Sequence, residues 1–467
     1  MIAKTTIDPQ ALAEELLQKL VFQPDASAGV TAANLSGSDY LLRFWQGGWY
    51  LWQNGCFKPL TDTDTRLLVT AFLQERIEPD EEAPRITTNF VNNILLNAAA
   101  MCYLPSERLL NSWPSGDEHC GKQTLCVKNG LLVYDNDGTA KLIDWTPRYF
   151  STVKLDYDYD AEAKCPLWDA FLNDSMLADA EYIKVLQEFC GYVFRPDLRE
   201  QKFLLCTGEG SNGKGVFFDV LTALVGKPNC SDVSLVRFNQ PFSLYGTLGK
   251  LVNMASESSH IIEHEAENIL KGYVAGDSLC FERKFKDPIF AVPTAKIIIA
   301  TNSKPRFNDR TRGMWRRILL IPFDKVVADE DQIKTLADNL KTELPGILNW
   351  ALAGLQRLNK QGGFTVPQRA AGLLEEYRRE SDPARAFLSE YYAPSSNGEA
   401  VVCAEVYGSY RQWCEQEGCK PLGSRMLGRQ ISRLYADVER KQVRIGFDRQ
   451  WQYAGLMPIC HHEDVLE

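Results

Sequence analysis

The run GEGSNGKGV at residues 208–216 has the composition and spacing of a loop that wraps phosphate groups. Such wrapping needs backbone N–H groups that can turn inward and a cation that reaches past them. Gly208, Gly210 and Gly213 supply the backbone freedom and Lys214 the charge, with Glu209, Ser211, Asn212, Gly215 and Val216 completing the segment. The spacing from Gly208 to Gly213 and Lys214 is that of a Walker A loop, so ATP is the expected ligand and the lysine is expected on its β- and γ-oxygens. One departure is plain: Gly215 stands where the pattern has Ser or Thr. Mg²⁺ must then find its ligands among water, phosphate oxygens and a carboxylate elsewhere.

Downstream residues supply candidates for the reaction. LVNMASE, 251–257, reads as a hydrophobic strand ending in Glu257, placed to polarise water and hold Mg²⁺. Its neighbours Ser256 and Ser258 leave it without a second acid, and the plainer alternative is a surface carboxylate at a strand end. AKIIIATN, 295–302, closes on Asn302, whose amide can orient the attacking water; an ordinary turn residue is the alternative. In RGMWRRILLIPF, 312–323, Arg316 and Arg317 precede another apolar run. An arginine reaching across a subunit boundary can neutralise charge on a transferred phosphoryl group. Neighbours on an extended chain point to opposite sides, so one arginine is expected to serve a neighbour's nucleotide, Arg316 by preference, and the other to bind locally. A salt-bridged sheet edge is the alternative.

Two further patterns suit nucleic acid. In LCFERKFKDPIF, 279–290, Arg283, Lys284 and Lys286 surround Phe285, a mix that grips a phosphate backbone and presents an apolar tip. The segment from Arg283 to Arg317 holds ten basic and two acidic residues, an excess opposite in sign to the net charge of -10. In SRMLGRQISRLY, 424–435, Arg425, Arg429 and Arg433 recur every four residues opposite Leu427, Ile431 and Leu434. That stripe fits either DNA contact or a solvated helix face.

These residues need elements to position them. The loop lies between an apolar strand at 203–206 and a helical run at 216–221, and alternating strands and helices through about 325 predict an open parallel sheet. The 467 residues are long enough for about three domains. We divide them into an α+β region at 1–120, a region at 121–198, the nucleotide domain at 199–328, a helical extension at 329–382 and a terminal module at 383–467. In the first, helices are expected at 11–20 and 65–75, with aromatic strands at 40–52 turning on Gly47-Gly48. In the second, strands and turns at 123–153 precede a helical segment from Leu167 to about Phe194. Asp382-Pro383 marks the boundary of the last module, where helices and two strands, around 442–447 and 450–454, predict a winged helix. The 13 cysteines are scattered with no C-x-x-C pair, which argues for reduced thiols rather than disulfides or a zinc ribbon; Cys460-His461-His462 is a lone terminal group and is not read as a metal site. No apolar run approaches the roughly 20 residues of a membrane span, and the N-terminus lacks a signal-peptide layout, so a cytoplasmic protein is expected.

With its motifs in this order, the chain resembles the superfamily 3 helicases, in particular the helicase part of phage and plasmid primases and of the poxvirus primase-helicase. The resemblance covers about residues 120 to 460 and rests on KNGLLVYD at 128–135, CPLWDAFL at 165–172, GYVFRPDLREQKFLLCTGEGSNGKG at 191–215, MASE, LKGYVAGD at 270–277, ATNSKPRF at 300–307 and RGMWRRILLIPF. It implies an α/β fold with an AAA+ P-loop core, a hexamer threading DNA through a central pore, Lys214 on phosphate, Glu257 and Asn302 at the water, an arginine from the adjacent subunit, and a pore hairpin at 281–286. VKLDYDYD at 153–160, with Asp156 and Asp158, superficially resembles a primase metal strand, but it falls at the family's connector before Cys165-Pro166-Leu167-Trp168, so a separate priming partner is expected. The leading function is an ATP-driven replicative DNA helicase of a mobile element in a bacterial host. An ATP-switched initiator or loader and a small-molecule P-loop kinase are the alternatives.

Overall fold

A computed structural model of the chain describes residues 8–21, 39–76, 85–105, 108–135, 139–256, 262–305, 307, 312–395, 397–417, 421–445 and 448–459. Helix α1 (Pro9–Lys19) opens on Asp8, whose carboxylate accepts from the Gln10 amide. Strands β1 (Leu42–Trp45), β2 (Gly48–Gln53) and β3 (Cys56–Leu60) form an antiparallel meander. The first turn sits on Gln46 and Gly47, with φ of 46° and 71°, one residue earlier than the Gly-Gly pair suggested, because two positive φ values suit the twist of a two-residue hairpin. Helices α2 (Asp62–Arg76) and α3 (Thr88–Met101) follow, and β4 (Tyr103–Leu104) pairs parallel to β1. Leu16 and Leu17 of α1, Val69 and Leu73 of α2 and Ile94 of α3 form the core of this region.

A second antiparallel sheet holds β5 (Gln123–Val127), β6 (Gly130–Tyr134) and β7 (Ala140–Ile143). The single helical segment expected from Leu167 to Phe194 is two helices, α4 (Pro166–Ser175) and α5 (Ala180–Val193). Leu177 and Ala178 adopt positive φ of 52° and 58°, and Asp179 starts α5 by accepting from the amides of Glu181 and Tyr182.

The central sheet is built from β8 (Phe203–Thr207), β9 (Cys230–Ser231), β10 (Val252–Ser256), β13 (Lys296–Thr301) and β14 (Ile318–Pro322). Its order is β14-β8-β13-β10-β9, and every neighbouring pair is parallel. Phe203, Leu204, Leu205, Ile297, Ile298 and Ile299 are buried, as strands covered on both faces require. Helix α6 (Lys214–Val225) follows β8, and α7 (His264–Ala275) leads from β10 into a hairpin of β11 (Leu279–Arg283) and β12 (Lys286–Ala291) that precedes β13. At the start of β13, Lys296 is fully buried; its ammonium donates to the carbonyls of Arg195 and, at 3.1 Å, Thr294, and burial pushes its pKa down to about 7.

A short helix α8 (Arg312–Trp315) precedes β14; α9 (Leu336–Lys341) and α10 (Leu344–Gln361) follow it. Helices α5 and α10 meet through glycine: a Cβ at Gly191 would lie 2.7 Å from the Leu355 nitrogen, and one at Gly354 would overlap the Gln187 carbonyl. Trp168 of α4 stacks 5.8 Å from Phe217 of α6 and meets Trp350 of α10 edge-on at 5.7 Å. The chain ends with α11 (Ala370–Glu380), α12 (Pro383–Tyr391), β15 (Tyr392–Pro394), β16 (Ala400–Val402), α13 (Cys403–Gln416), α14 (Ser424–Leu434), β17 (Glu439–Ile445), β18 (Asp448–Ala454) and β19 (Leu456–Pro458). Phe387 of α12, Val406 and Tyr410 of α13 and Leu427 and Ile431 of α14 share one core.

Two compact units result: residues 1–258, 268–303 and 317–367 in one, and 259–267, 304–316 and 368–467 in the other. The last stretch of the second starts at Gln368, ahead of Asp382-Pro383, and takes in α11, whose Tyr377 packs 5.1 Å from Trp315 and donates its hydroxyl proton to the Pro305 carbonyl. Among the described residues, no helix is long and apolar enough to cross a membrane.

Candidate functional site

Parallel register decides which residues share an edge. Thr207 pairs with Thr301, and Ser256 with Ala300, so β8, β13 and β10 end together and hand their next residues to one side of the sheet. Ligands of open parallel sheets bind outside such carboxyl ends. Gly208 and Asn302 begin there. Glu257 follows Ser256 in sequence but lies outside the described residues.

The loop after β8 takes a path that depends on glycine. Gly210 and Gly213 have φ of 112° and 84°, and a Cβ at Gly208 would overlap the Asn212 amide and lie 2.5 Å from the Phe323 carbonyl oxygen. Asn212 is buried and works as a staple. Its Nδ2 donates to Phe323 O at 3.1 Å, and its Oδ1 accepts from the Lys214 amide at 3.3 Å. The Val327 amide donates to Ser211 O at 2.7 Å, fixing the loop to the chain leaving β14. Among the described residues, a Cβ at Gly210 would meet nothing within 4 Å, so they leave the loop open on that side. Glu209, Ser211 and Gly215 are exposed and Val216 is half-buried; α6 starts at Lys214, and its first amides carry the positive end of the helix dipole.

Lys214 is folded back on the sheet edge. Its Nζ donates to Gly208 O at 2.5 Å, Thr301 O at 2.9 Å and Asn302 Oδ1 at 2.8 Å, one acceptor for each ammonium proton. Burial pulls its pKa below the ordinary lysine value. Thr301 Oγ1 accepts from the Ser303 amide at 3.0 Å and donates to the Ser303 carbonyl, which sets the turn that presents Asn302. The lysine and the amide singled out separately in the sequence are thus directly bonded. Gly215 has open space as well: among the described residues a Cβ there would meet nothing within 4 Å, so none of them crowds out a hydroxyl.

Arg316 and Arg317 do not lie on an extended chain. They form a turn after α8, so alternation across a strand does not separate them. Arg316 is exposed; Arg317 is half-buried, with its carbonyl accepting from the Phe203 amide at 2.9 Å.

In the hairpin, Phe285 occupies the turn with φ of 62° and is 93% exposed, with the Lys284 ammonium 5.1 Å from its ring. The other two cations are held within the chain. Arg283 donates from Nε and Nη2 to Asp287 O at 2.8 and 2.6 Å, and Lys286 pairs with Asp62 at the start of α2 at 2.7 Å. Nothing in the local pattern pointed to Asp62, which is more than two hundred positions away. On α14, Leu427, Gln430 and Ile431 are buried, while Arg425, Arg429 and Arg433 line the opposite face.

Asp156 and Asp158 are exposed, the first on a bend and the second in irregular chain rather than on a strand, and among the described residues no group of three or more His, Cys, Asp and Glu could hold a metal ion. Cys460, His461 and His462 lie outside the described residues.

The family described as D5 N terminal like matches residues 36–177, and the family of unknown function DUF5906 matches 206–317, the loop-bearing stretch. The "Putative helicase L207/L206" of Acanthamoeba polyphaga mimivirus is 23% identical over 261 residues, and the "Putative helicase 121R" of Invertebrate iridescent virus 3 is 26% identical over 255. The primase-helicase resemblance holds. These alignments cover 50% and 47% of the chain but 26% and 27% of the viral proteins, so the chain spans about a quarter of their length. The apo structure of the NrS-1 C-terminal region matches 96% of the chain and 98% of its own length with a TM-score of 0.51 at 12% identity, which shows a shared fold.

Proposed function

We propose that the chain is an ATP-driven DNA helicase of a phage, plasmid or similar mobile element, acting as a hexameric ring whose copies share nucleotide sites at their boundaries. The observation that carries this reading is the parallel order β14-β8-β13-β10-β9 with the phosphate loop after β8, Asn302 hydrogen-bonded to its lysine, and a basic, aromatic-tipped hairpin inserted before β13. A parallel sheet with a phosphate loop leaving one of its strands suits the P-loop core that the motifs imply.

The residues suit a triphosphate. The open side of the loop at Gly210, the first amides of α6 and Lys214 would hold its phosphates. Mg²⁺ would arrive with the triphosphate, with Glu257 as its expected protein ligand. Lys214 exchanges resting acceptors for phosphate oxygens, and in leaving Asn302 it releases the amide to orient water. Arg316 or Arg317 of a neighbouring copy would supply the positive charge that the transferred phosphoryl group needs. The hairpin tip, Lys284 and Phe285, would follow the DNA strand, with Arg283 and Lys286 behind it. The second unit, with three helices sharing a core and the paired strands β17 and β18, fits a winged helix that contacts DNA through Arg425, Arg429 and Arg433. Priming would fall to a separate protein.

Incubating the purified protein with ATP and a forked duplex tests this. Strand separation that Lys214→Ala abolishes is expected, together with loss of turnover in Arg316→Ala that wild-type subunits restore on mixing. DNA-stimulated hydrolysis with the strands left paired would instead identify an initiator or loader, and hydrolysis indifferent to DNA would identify a small-molecule kinase.

A further inference from the structure

The arginine stripe of α14 forms only one wall of a larger feature. Ser424, Gly428 and Ser432 recur every four residues on the same helix, a row of small side chains beside the row of Arg425, Arg429 and Arg433. Facing them are Arg440 from β17 and Tyr453 from β18, and the two sides enclose an open trough of about 500 Å³. The Tyr453 hydroxyl lies 2.9 Å from where a Cβ at Gly428 would sit, so glycine sets the width at that point. Arg440 is braced with its guanidinium 4.3 Å over the Trp451 ring. Among the described residues, none of the four arginines has a carboxylate within ion-pairing distance. Four guanidinium groups with no acidic partner among the described residues, in a chain of net charge -10, repel one another unless an anion lies between them.

The chemistry of that anion follows from the shape. Guanidinium forks match phosphate oxygens. Arginines four residues apart recur about every 6 Å along a helix axis, so the row continues past the reach of one small anion. A helix that reads base edges projects its long side chains outward into the major groove; here they stand over a trough that Arg440 and Tyr453 close on the far side. We propose that this trough holds the phosphodiester backbone of DNA, gripped through charge and shape without reading its sequence, with Arg440 as an equal partner of the α14 arginines. The small-residue row lets the sugar-phosphate chain lie close to the helix. This deepens the nucleic-acid part of the function proposed above and does not depend on its ATPase part.

The test is anisotropy of two labelled oligonucleotides of unrelated sequence, titrated with the full chain in the absence of nucleotide at several salt concentrations. Arg429→Gln and Arg440→Gln should each weaken both oligonucleotides several-fold and equally, and lower the slope of log affinity against log salt by about 0.7–0.9. Arg440→Lys should retain the wild-type slope, and Ser432→Glu should weaken binding with thermal unfolding unchanged. An unaltered slope in Arg440→Gln would overturn the trough, and a loss confined to one sequence would replace it with a base-reading helix. If Lys284→Ala alone removed nucleotide-free binding, the hairpin would be the holding site and the helicase reading would survive without the trough. Trough binding that persists while DNA fails to stimulate hydrolysis would overturn the helicase reading and leave this one standing.

Discussion

Asn302→Ala separates the resting state of the loop from its working state. Among the described residues the Lys214 ammonium has three acceptors, and Asn302 Oδ1, at 2.8 Å, is the only one of these from a side chain. A hydrogen bond to a charged group contributes about 1.5–3 kcal/mol, and Asn302 is exposed, which places this one near the lower end at roughly 1–1.5 kcal/mol. The bond favours the loop without nucleotide. Its loss should therefore cost about that much stability in the nucleotide-free protein, and it should tighten ATP binding by roughly 5–10-fold, since about 1.4 kcal/mol is tenfold in affinity. Turnover should fall at the same time, because no amide remains to orient water. Denaturant unfolding with and without ATP gives the first quantity, calorimetric titration the second and a steady-state assay the third. Weaker ATP binding in Asn302→Ala, with nucleotide-free stability undiminished, would refute the exchange of acceptors on which the mechanism rests.

Three other substitutions probe the fold and the site. Gly215→Ser should fold with stability unchanged or raised by a few tenths of a kcal/mol, since serine is the better helix former and a Cβ there meets nothing within 4 Å. Its hydroxyl should lower the Mg²⁺ concentration that half-saturates hydrolysis; a Mg²⁺ titration identical to wild type would show that the metal lies elsewhere. Gly354→Ala should destabilise the first unit by about 1–3 kcal/mol through overpacking against Gln187, and an unshifted urea midpoint would show that α5 and α10 part freely. Lys296 has a pKa of about 7 when folded against an ordinary 10.5, so the unfolded chain binds more protons between those values and wild-type stability should rise with pH across that window. The slope from one such group is at most about 1.4 kcal/mol per pH unit. Lys296→Met should remove that component, and unfolding curves at pH 7 and pH 9 with the same difference in both proteins would exclude it.

The loop was legible because phosphate wrapping constrains type and spacing together: glycines at 208, 210 and 213 and a lysine at 214 leave few other uses for the segment. The sheet was legible because strands buried on both faces read as unbroken apolar runs, as in Leu204-Leu205-Cys206 and Ile297-Ile298-Ile299. What escaped depends on partners distant in the chain. Asp62 reaches Lys286, and Arg440 completes the trough from a strand whose other residues are mostly polar, so no local periodicity marks either one. The break between α4 and α5 was hidden by apolar spacing that continues through it, although Asp179 carries the signature of a helix start. The turn geometry of Arg316 and Arg317 was missed because they directly precede the apolar run that begins at Ile318 and were read as extended chain leading into it.

Glycine at the crossing of α5 and α10 removes the cushion that most helix pairs keep between them. With main chain resting on main chain, the two rods have no pliable layer in which to slide, and Trp168 wedges the near end of the same block against the helix that begins at Lys214. A displacement delivered at the loop is therefore expected to tilt this block as a stiff lever, with little of it taken up by side chains where α5 and α10 cross.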